Sequence, residues 1–232
     1  MDLPPLSDRP IAIIPARGGS KRVPRKNIAD LNGAPLVSYA IRTCLQSELF
    51  SRVIVSTEDG EIAAIAREYA AEVDPRPDTL AGDKTPATAV IKELLERNFP
   101  GSAQPDNFCL VYPMAAFLTV QDLQGSAAEL ARYDAVMGVS KYISHPYKAL
   151  IEVNGHLKAM WPDLNMQQSQ NYPETYASNG TFCWMRTGAF LECLSFYPER
   201  LHGYVLPEDR AVDIDTLEDL ERARRLIVLN QT

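Results

Sequence analysis

Hydrophobic positions along this chain switch repeatedly between short continuous runs and a period near 3.6. Ile11 to Ile14 is an apolar, mostly β-branched run, as in a strand buried on both faces. Leu36, Val37, Ala40, Ile41, Cys44 and Leu45 then recur on one helical face, with Pro35 suited to the first turn. Val53 to Ser56 is a second short strand, and Asp59 to Ala71 a second amphipathic helix with Ile62, Ile65, Ala66 and Tyr69 inward. This alternation of strand and helix predicts a parallel sheet with crossover helices. Residues 74–83 are too rich in Pro, Gly and Asp for an element, so they read as a loop. Thr85 and Pro86 look like a cap and first-turn proline for a helix running to about Phe99. Asn107–Tyr112 and Ala135–Val139 are expected strands around a helix from Val120 to Tyr133.

The alternation breaks from Lys141 to Tyr176. Lys148–Val153 and His156–Met160 flank Asn154-Gly155, a strong hairpin signal, and a polar stretch with Gln167, Gln168 and Gln170 follows. This reads as an antiparallel arm inserted into the core, suited to pairing two copies or to closing over a site. The core resumes with a strand at Thr181–Met185, a helix at Thr187–Phe196, and short strands at Gly203–Leu206 and Ala211–Ile214. A closing helix starts at Thr216, which forms a capping pair with Asp219; Leu217, Leu220, Ala223, Leu226 and Ile227 make its buried stripe. The expected fold is α/β, Rossmann-like, a mainly parallel sheet with helices on both faces. The expected division is a leader at 1–10, a core at 11–140 and 177–232, and the arm at 141–176.

Charge changes this picture at one place. The 232 residues carry a net charge of −7, which argues against nucleic acid or a membrane surface as partner. Yet the segment from Arg17 to Asn27 holds Arg17, Lys21, Arg22, Arg25 and Lys26 and no acidic residue. Gly18, Gly19 and Ser20 lie inside it, and a glycine-rich turn lets backbone N–H groups converge on an anion. A buried strand feeding such a loop reads as a phosphate site. No apolar run approaches the roughly 18 residues that span a bilayer, and the first ten residues lack the pattern of a signal peptide. Cys44, Cys109, Cys183 and Cys193 form no closely spaced pair and read as buried free thiols, so the expected location is the cytoplasm.

The loop matches neither the dinucleotide glycine fingerprint nor the Walker pattern. Pro15-Ala16-Arg17-Gly18-Gly19-Ser20-Lys21-Arg22-Val23-Pro24-Arg25-Lys26-Asn27 instead resembles the signature of the CMP-sialic acid synthetases (acylneuraminate cytidylyltransferases). Further blocks continue the resemblance: Val55 to Asp59, Arg76-Pro77 with Asp83, His145 to Lys148, Asn179-Gly180, and Asp213-Ile214-Asp215. It implies a nucleotidyltransferase core with a dimerisation arm. The implied reaction is attack of a nine-carbon 2-keto acid sugar on the α-phosphorus of CTP, with pyrophosphate leaving. Such chemistry depends mostly on positioning and on neutralising charge as it moves.

The resemblance places nucleotide contacts at Ala16, Arg17, Gly18, Gly19, Ser20, Lys21, Asn27 and Arg76, and further base contacts at Thr85 and Thr88. Arg17 and Lys21 are the catalytic cations. Arg25 and Lys26 read equally as solvated residues of the loop rim. Asp213 and Asp215, two apart on an expected strand, point both carboxylates to one face, as Mg²⁺ accepts. Lys148 is the candidate partner of the sugar carboxylate, with Tyr112, Asn179 and Trp184 lining the sugar pocket and His145 structural. Tyr112 to Leu118 and Ala177 depart from the sialic acid enzymes; Tyr112 to Leu118 and Phe182 to Trp184 look closer to the pseudaminic acid branch, from which Asn179-Gly180-Thr181 departs in turn. A cytidylyltransferase for the eight-carbon acid Kdo, and a non-catalytic nucleotide-sugar binder, are the alternatives.

Overall fold

A computed structural model of the chain describes residues 9–229. Most of the expected leader, residues 1–8, lies outside the described residues. In chain order the strands are β1 (Ile11–Pro15), β2 (Asp30–Leu31), β3 (Ala34–Pro35), β4 (Arg52–Thr57), β5 (Glu72–Pro75), β6 (Asn107–Val111), β7 (Ala135–Lys141), β8 (Leu150–Val153), β9 (His156–Ala159), β10 (Tyr176–Arg186) and β11 (Leu201–Val205). The helices are α1 (Leu36–Gln46), α2 (Gly60–Glu68), α3 (Ala87–Asn98), α4 (Val120–Ala127), α5 (Pro162–Asn165), α6 (Thr187–Cys193) and α7 (Leu217–Leu229).

Seven strands form one sheet in the order β11-β7-β10-β6-β1-β4-β5. All its neighbours run parallel except β10, which lies antiparallel between β6 and β7. The sheet is therefore α/β and mainly parallel. Its strands are apolar on both faces. Ala12, Ile14, Val53, Val55 and Trp184 pack against Val37, Ile41, Ile62 and Leu123. Ile11, Ile13, Ile54, Phe108 and Met185 pack against Ile91, Leu94 and Phe190. A third cluster matters most for function. It joins Val23 of the basic loop, Leu31 and Leu36, Phe117, Val212 and Ile214, and Leu220, Ala223 and Ile227 of α7. The apolar stripe of the last helix thus presses the end of the chain onto its beginning.

Several local expectations are corrected. Residues 211–215 join no ladder, so the Ala211–Ile214 strand is absent. The alternation survives without pairing, because Val212 and Ile214 are buried in the third cluster while Asp213 reaches solvent. Pro86, not Thr85, stands at the cap of α3, and no side chain caps it. The α4 helix stops at Ala127 and continues as a 3-10 turn over Ala128–Ala131. In the arm, Pro146–Lys148 is a 3-10 turn rather than the start of a strand. The β8–β9 hairpin does turn at Asn154 and Gly155, with φ of 53° and 77°. The chain leaves the sheet at Lys141 and rejoins it at Tyr176, its direct ladder partner. Three cysteines are buried but Cys193 is exposed, contrary to the expectation for all four.

The start of α7 carries a checkable consequence. Asp219 Oδ2 accepts from the backbone N–H of Asp215 and Thr216, at 3.0 and 2.8 Å, and from the Thr216 hydroxyl at 2.8 Å. Burial alone would raise the Asp219 carboxyl, but these hydrogen bonds outweigh it and hold the group below its usual value. Stability from such a group is present above the unfolded-state pKa and is lost as pH falls through the folded one. Asp219→Asn keeps an oxygen acceptor but removes the charge, and is expected to lower stability near neutral pH. The difference from wild type in denaturant titrations should close below about pH 4. A constant difference down to pH 2 would contradict this account.

Candidate active site

The basic loop leaves β1 at the carboxyl edge of the sheet, where ligands of open α/β sheets bind. A cavity of about 430 Å³ opens there. Its wall takes Arg17, Ser20, Lys21 and Asn27 from the loop, Arg76 and Thr85 from the segment after β5, Tyr112 from the end of β6, and Asp215 from the segment before α7. Eight of the residues expected from the sequence therefore line one cavity.

Each loop cation is paired with a carboxylate. Arg17 Nη1 lies 2.7 Å from Asp83 Oδ1, and Lys21 pairs with the other oxygen of Asp83. Arg22 contacts both oxygens of Asp215 at 2.8 Å. Lys26 Nζ donates to the Ile214 carbonyl at 2.7 Å and to Asp215 Oδ1 at 3.2 Å. Arg25, held at φ 57°, bridges Asp59 at 2.5 Å and Glu61 at 2.6 Å. Lys26 is buried, so it is not a rim residue; it clamps the loop to the segment that carries the two aspartates.

Arg76 is also buried. Its Nη2 donates to the Ser56 carbonyl at 2.7 Å. Burial lowers its pKa from the usual value, opposed by the charges of Glu58 and Asp74. Asn27 donates to the Arg17 carbonyl at 2.8 Å, and its buried Oδ1 has no hydrogen-bond partner. Burial pushes the Tyr112 hydroxyl up to about 12, so it is a neutral donor at physiological pH.

Other expected residues stand elsewhere. Ala16 is fully buried and its N–H is given to the Ser56 carbonyl at 3.0 Å. The Gly18 N–H donates to Glu58 Oε1 at 2.7 Å, so the nest expected at Gly18 is already engaged. Neither Gly18 nor Gly19 is in the cavity wall, and Thr88 is replaced there by its helix neighbours Ala87 and Val90. Asn179 turns its amide to Ser140 and Thr181. Lys148 is exposed in the arm, outside the wall. Trp184 is fully buried, stacked on Phe50 in the core, and does not line this cavity.

Asp213 sits beside Asp215 but outside the cavity wall, its carboxylate 3.6 Å from where a Cβ on Gly180 would stand. Burial, then the charge of Asp215, raises its pKa. It has no ion pair among the described residues, whereas Asp215 has two. Those residues hold no cluster of three or more side chains of metal-ligating type. Two carboxylates are the kind of partial set that Mg²⁺ accepts when phosphate and water complete its shell. A cation there would also relieve the repulsion that raises Asp213, so the residues fit the group.

Sequence reasoning missed Arg22, Lys26 and Glu58, and it left Asp83 without a role. The partner of Lys26 lies 189 positions away, and no local pattern carries that distance.

A cation-rich loop at the strand edge, clamped to the segment of Asp215 beside a cavity of about 430 Å³, is the arrangement of a nucleotide-binding α/β protein of the nucleotidyltransferase type. The family model described as Cytidylyltransferase matches residues 11–144, and the chain belongs to that family. The chain is 32% identical over 225 residues to the pseudaminic acid cytidylyltransferase of Campylobacter jejuni, covering 95% of this chain and 97% of that one. It is 30% identical to the CMP-N,N'-diacetyllegionaminic acid synthase of Legionella pneumophila, covering 96% and 98% of the two chains. Among solved structures it resembles CMP:2-keto-3-deoxy-manno-octonic acid synthetase complexed with CTP. That match has a TM-score of 0.68 at 15% identity over 96% of this chain and 99% of the other, a likeness of fold.

Proposed function

We propose that this enzyme transfers CMP from CTP to a nine-carbon 2-keto acid sugar of the nonulosonic class, with pseudaminic acid the first candidate, and releases pyrophosphate. The observation that carries the reading is the meeting of the basic loop with the Asp213–Asp215 segment, clamped by Lys26 and Arg22. Arg17 and Lys21 neutralise the triphosphate, exchanging their contacts with Asp83 for phosphate oxygens. Ser20 and Asn27 orient the nucleotide, and Arg76 and Thr85 face the base. Asp213 and Asp215 hold Mg²⁺, which when bound supplies positive charge at the reacting phosphate. Tyr112 donates its hydroxyl to the sugar. Fold alone supports the Kdo alternative, whereas likeness along the whole sequence supports the nine-carbon acids.

The test is pyrophosphate release from CTP and Mg²⁺ with a panel of nonulosonic acids and Kdo. Turnover is expected with pseudaminic acid or a near relative. A folded, CTP-binding protein that turns over none of them would reject the reading in favour of a binder.

The arm exposes Ile143, Leu150, Leu157, Met160 and Met166, an apolar surface suited to pairing with a second copy. We take the active form to be a homodimer joined through the arm, with Lys148 near the partner's sugar site. Light scattering at micromolar concentration should give twice the chain mass; a monomer would contradict the dimer. No described helix is long and apolar enough to cross a membrane. The cytoplasm, where CTP is available, is the proposed location.

A further inference from the structure

We propose that Glu58 is the positioning residue that holds the phosphate-binding loop in register with Arg76, a role resting on the nucleotidyl-transfer reading above. Glu58 directly follows β4 and is mostly buried. One carboxylate oxygen, Oε1, accepts from the Gly18 N–H at 2.7 Å, across 40 positions of sequence. The other, Oε2, faces Arg76 Nη1 at 3.8 Å. Arg76 is tied from the opposite side, because its Nη2 donates to the Ser56 carbonyl at 2.7 Å. Arg76 Nε and Glu58 Oε2 are both buried without a hydrogen-bond partner, so the ion pair is what compensates them.

The approach of loop to turn is close. A Cβ on Gly18 would stand 2.4 Å from Asp59 Oδ2 and 3.0 Å from Asp59 Cβ, so the loop rests directly on the turn after β4. Ser20 in turn donates its N–H to the Gly18 carbonyl at 3.0 Å. The Gly18 N–H, committed to a carboxylate, is not a phosphate ligand. Phosphate contacts then fall on the side chains of Arg17, Ser20 and Lys21, whose placement depends on the Gly18 anchor. A single carboxylate therefore fixes the anion-binding loop with one oxygen and offsets the buried Arg76 guanidinium of the cavity wall with its second.

The two oxygens can be separated by substitution. Glu58→Gln keeps an acceptor for Gly18 and removes the charge facing Arg76. Glu58→Asp keeps the charge and withdraws the acceptor from Gly18. Calorimetric affinity for inorganic pyrophosphate and for CTP, the split between KM and kcat, and Tm would be measured for both and for Glu58→Ala. Glu58→Gln is expected to bind pyrophosphate within about threefold of wild type, with a lowered Tm, since a neutral group still accepts the bond. Glu58→Asp and Glu58→Ala should lose about tenfold or more in pyrophosphate affinity and in KM for CTP, with kcat changing less. Glu58→Asp should keep the higher Tm of the two conservative variants. Wild-type pyrophosphate affinity in Glu58→Asp, or a loss in Glu58→Gln as large as in Glu58→Asp, overturns the proposal even where Glu58→Ala does not fold. A wild-type chain that binds neither CTP nor pyrophosphate overturns the nucleotidyl-transfer reading and this inference together. Binding without the variant pattern overturns the inference alone.

Discussion

Asp213→Asn is expected to lower kcat/KM by about a hundredfold to a thousandfold while leaving the protein as stable as wild type, or more so. The two halves of that statement have one cause. The Asp213 carboxylate is partly desolvated and lies near Asp215, and both effects raise its pKa. An acid whose folded pKa is raised contributes stability when protonated, and loses it as pH rises through the folded pKa. At neutral pH the charge on Asp213 therefore works against folding, and the amide removes that burden. Any gain in Tm should shrink toward acid pH, as wild-type Asp213 itself takes up a proton. A residue kept ionised at a cost to the fold fits a role in which a cation or the moving phosphate charge compensates it. Asp215→Asn gives the contrast. It weakens both contacts to Arg22 and leaves Lys26 buried without its counter-charge, so it should lower stability and activity together. Steady-state pyrophosphate release and thermal unfolding on the same preparations decide the matter. Near-normal kcat/KM in Asp213→Asn would remove the residue from the chemistry. An unchanged Tm in Asp215→Asn would show that the clamp to the loop adds nothing.

The elements that the sequence predicts well are those whose signal is local. Ile11–Ile14 is apolar without interruption because β1 is covered on both faces, and the stripe from Leu217 to Ile227 is visible because α7 buries only one. Asn154-Gly155 marks its hairpin because two successive residues must take positive φ. The basic loop is legible for a similar reason, five cations in eleven residues of an acidic chain. What is not legible is pairing across distance. The Asp213–Asp215 alternation presupposes a strand that does not form: Val212 and Ile214 are buried with α7 without any ladder, and Asp215 lines the cavity while Asp213 stands outside its wall. Lys26 and Arg25 look alike in sequence, yet one is buried against Asp215 and the other bridges Asp59 and Glu61 at the start of α2. Glu58 falls inside the Val55–Asp59 block with no role of its own in the sequence; only the fold brings Gly18 onto it.

Trp184 shows how strand alternation can place an aromatic on the wrong side of a functional argument, and its replacement should have the largest effect on stability. On β10, Phe182 and Trp184 face the cluster under α1 and α4, while Cys183 and Met185 face α3 and α6. The Trp184 ring stacks on Phe50 with centroids 5.2 Å apart. Its indole N–H donates to Ser126 Oγ at 2.9 Å, and Ser126 donates onward to the Asp122 carbonyl at 2.6 Å. The ring thus fills a core site and satisfies its polar atom inside it. Trp184→Ala is expected to cost about 3–5 kcal/mol through lost transfer energy and a cavity that the sheet cannot collapse. For a chain of this length that is a fall in Tm of about 6–20 °C. KM for the sugar should stay at the wild-type value at temperatures where the variant is folded. Trp184→Phe keeps most of the packing and leaves Ser126 without its donor, so it should lose less stability, again with KM unmoved. A Trp184→Phe protein of wild-type Tm but raised sugar KM would reverse the assignment and return the indole to the pocket. The aromatic that does stand at the site is Tyr112, which lines the cavity at the end of β6, while the neighbouring strand position that drew attention in the sequence belongs to the core.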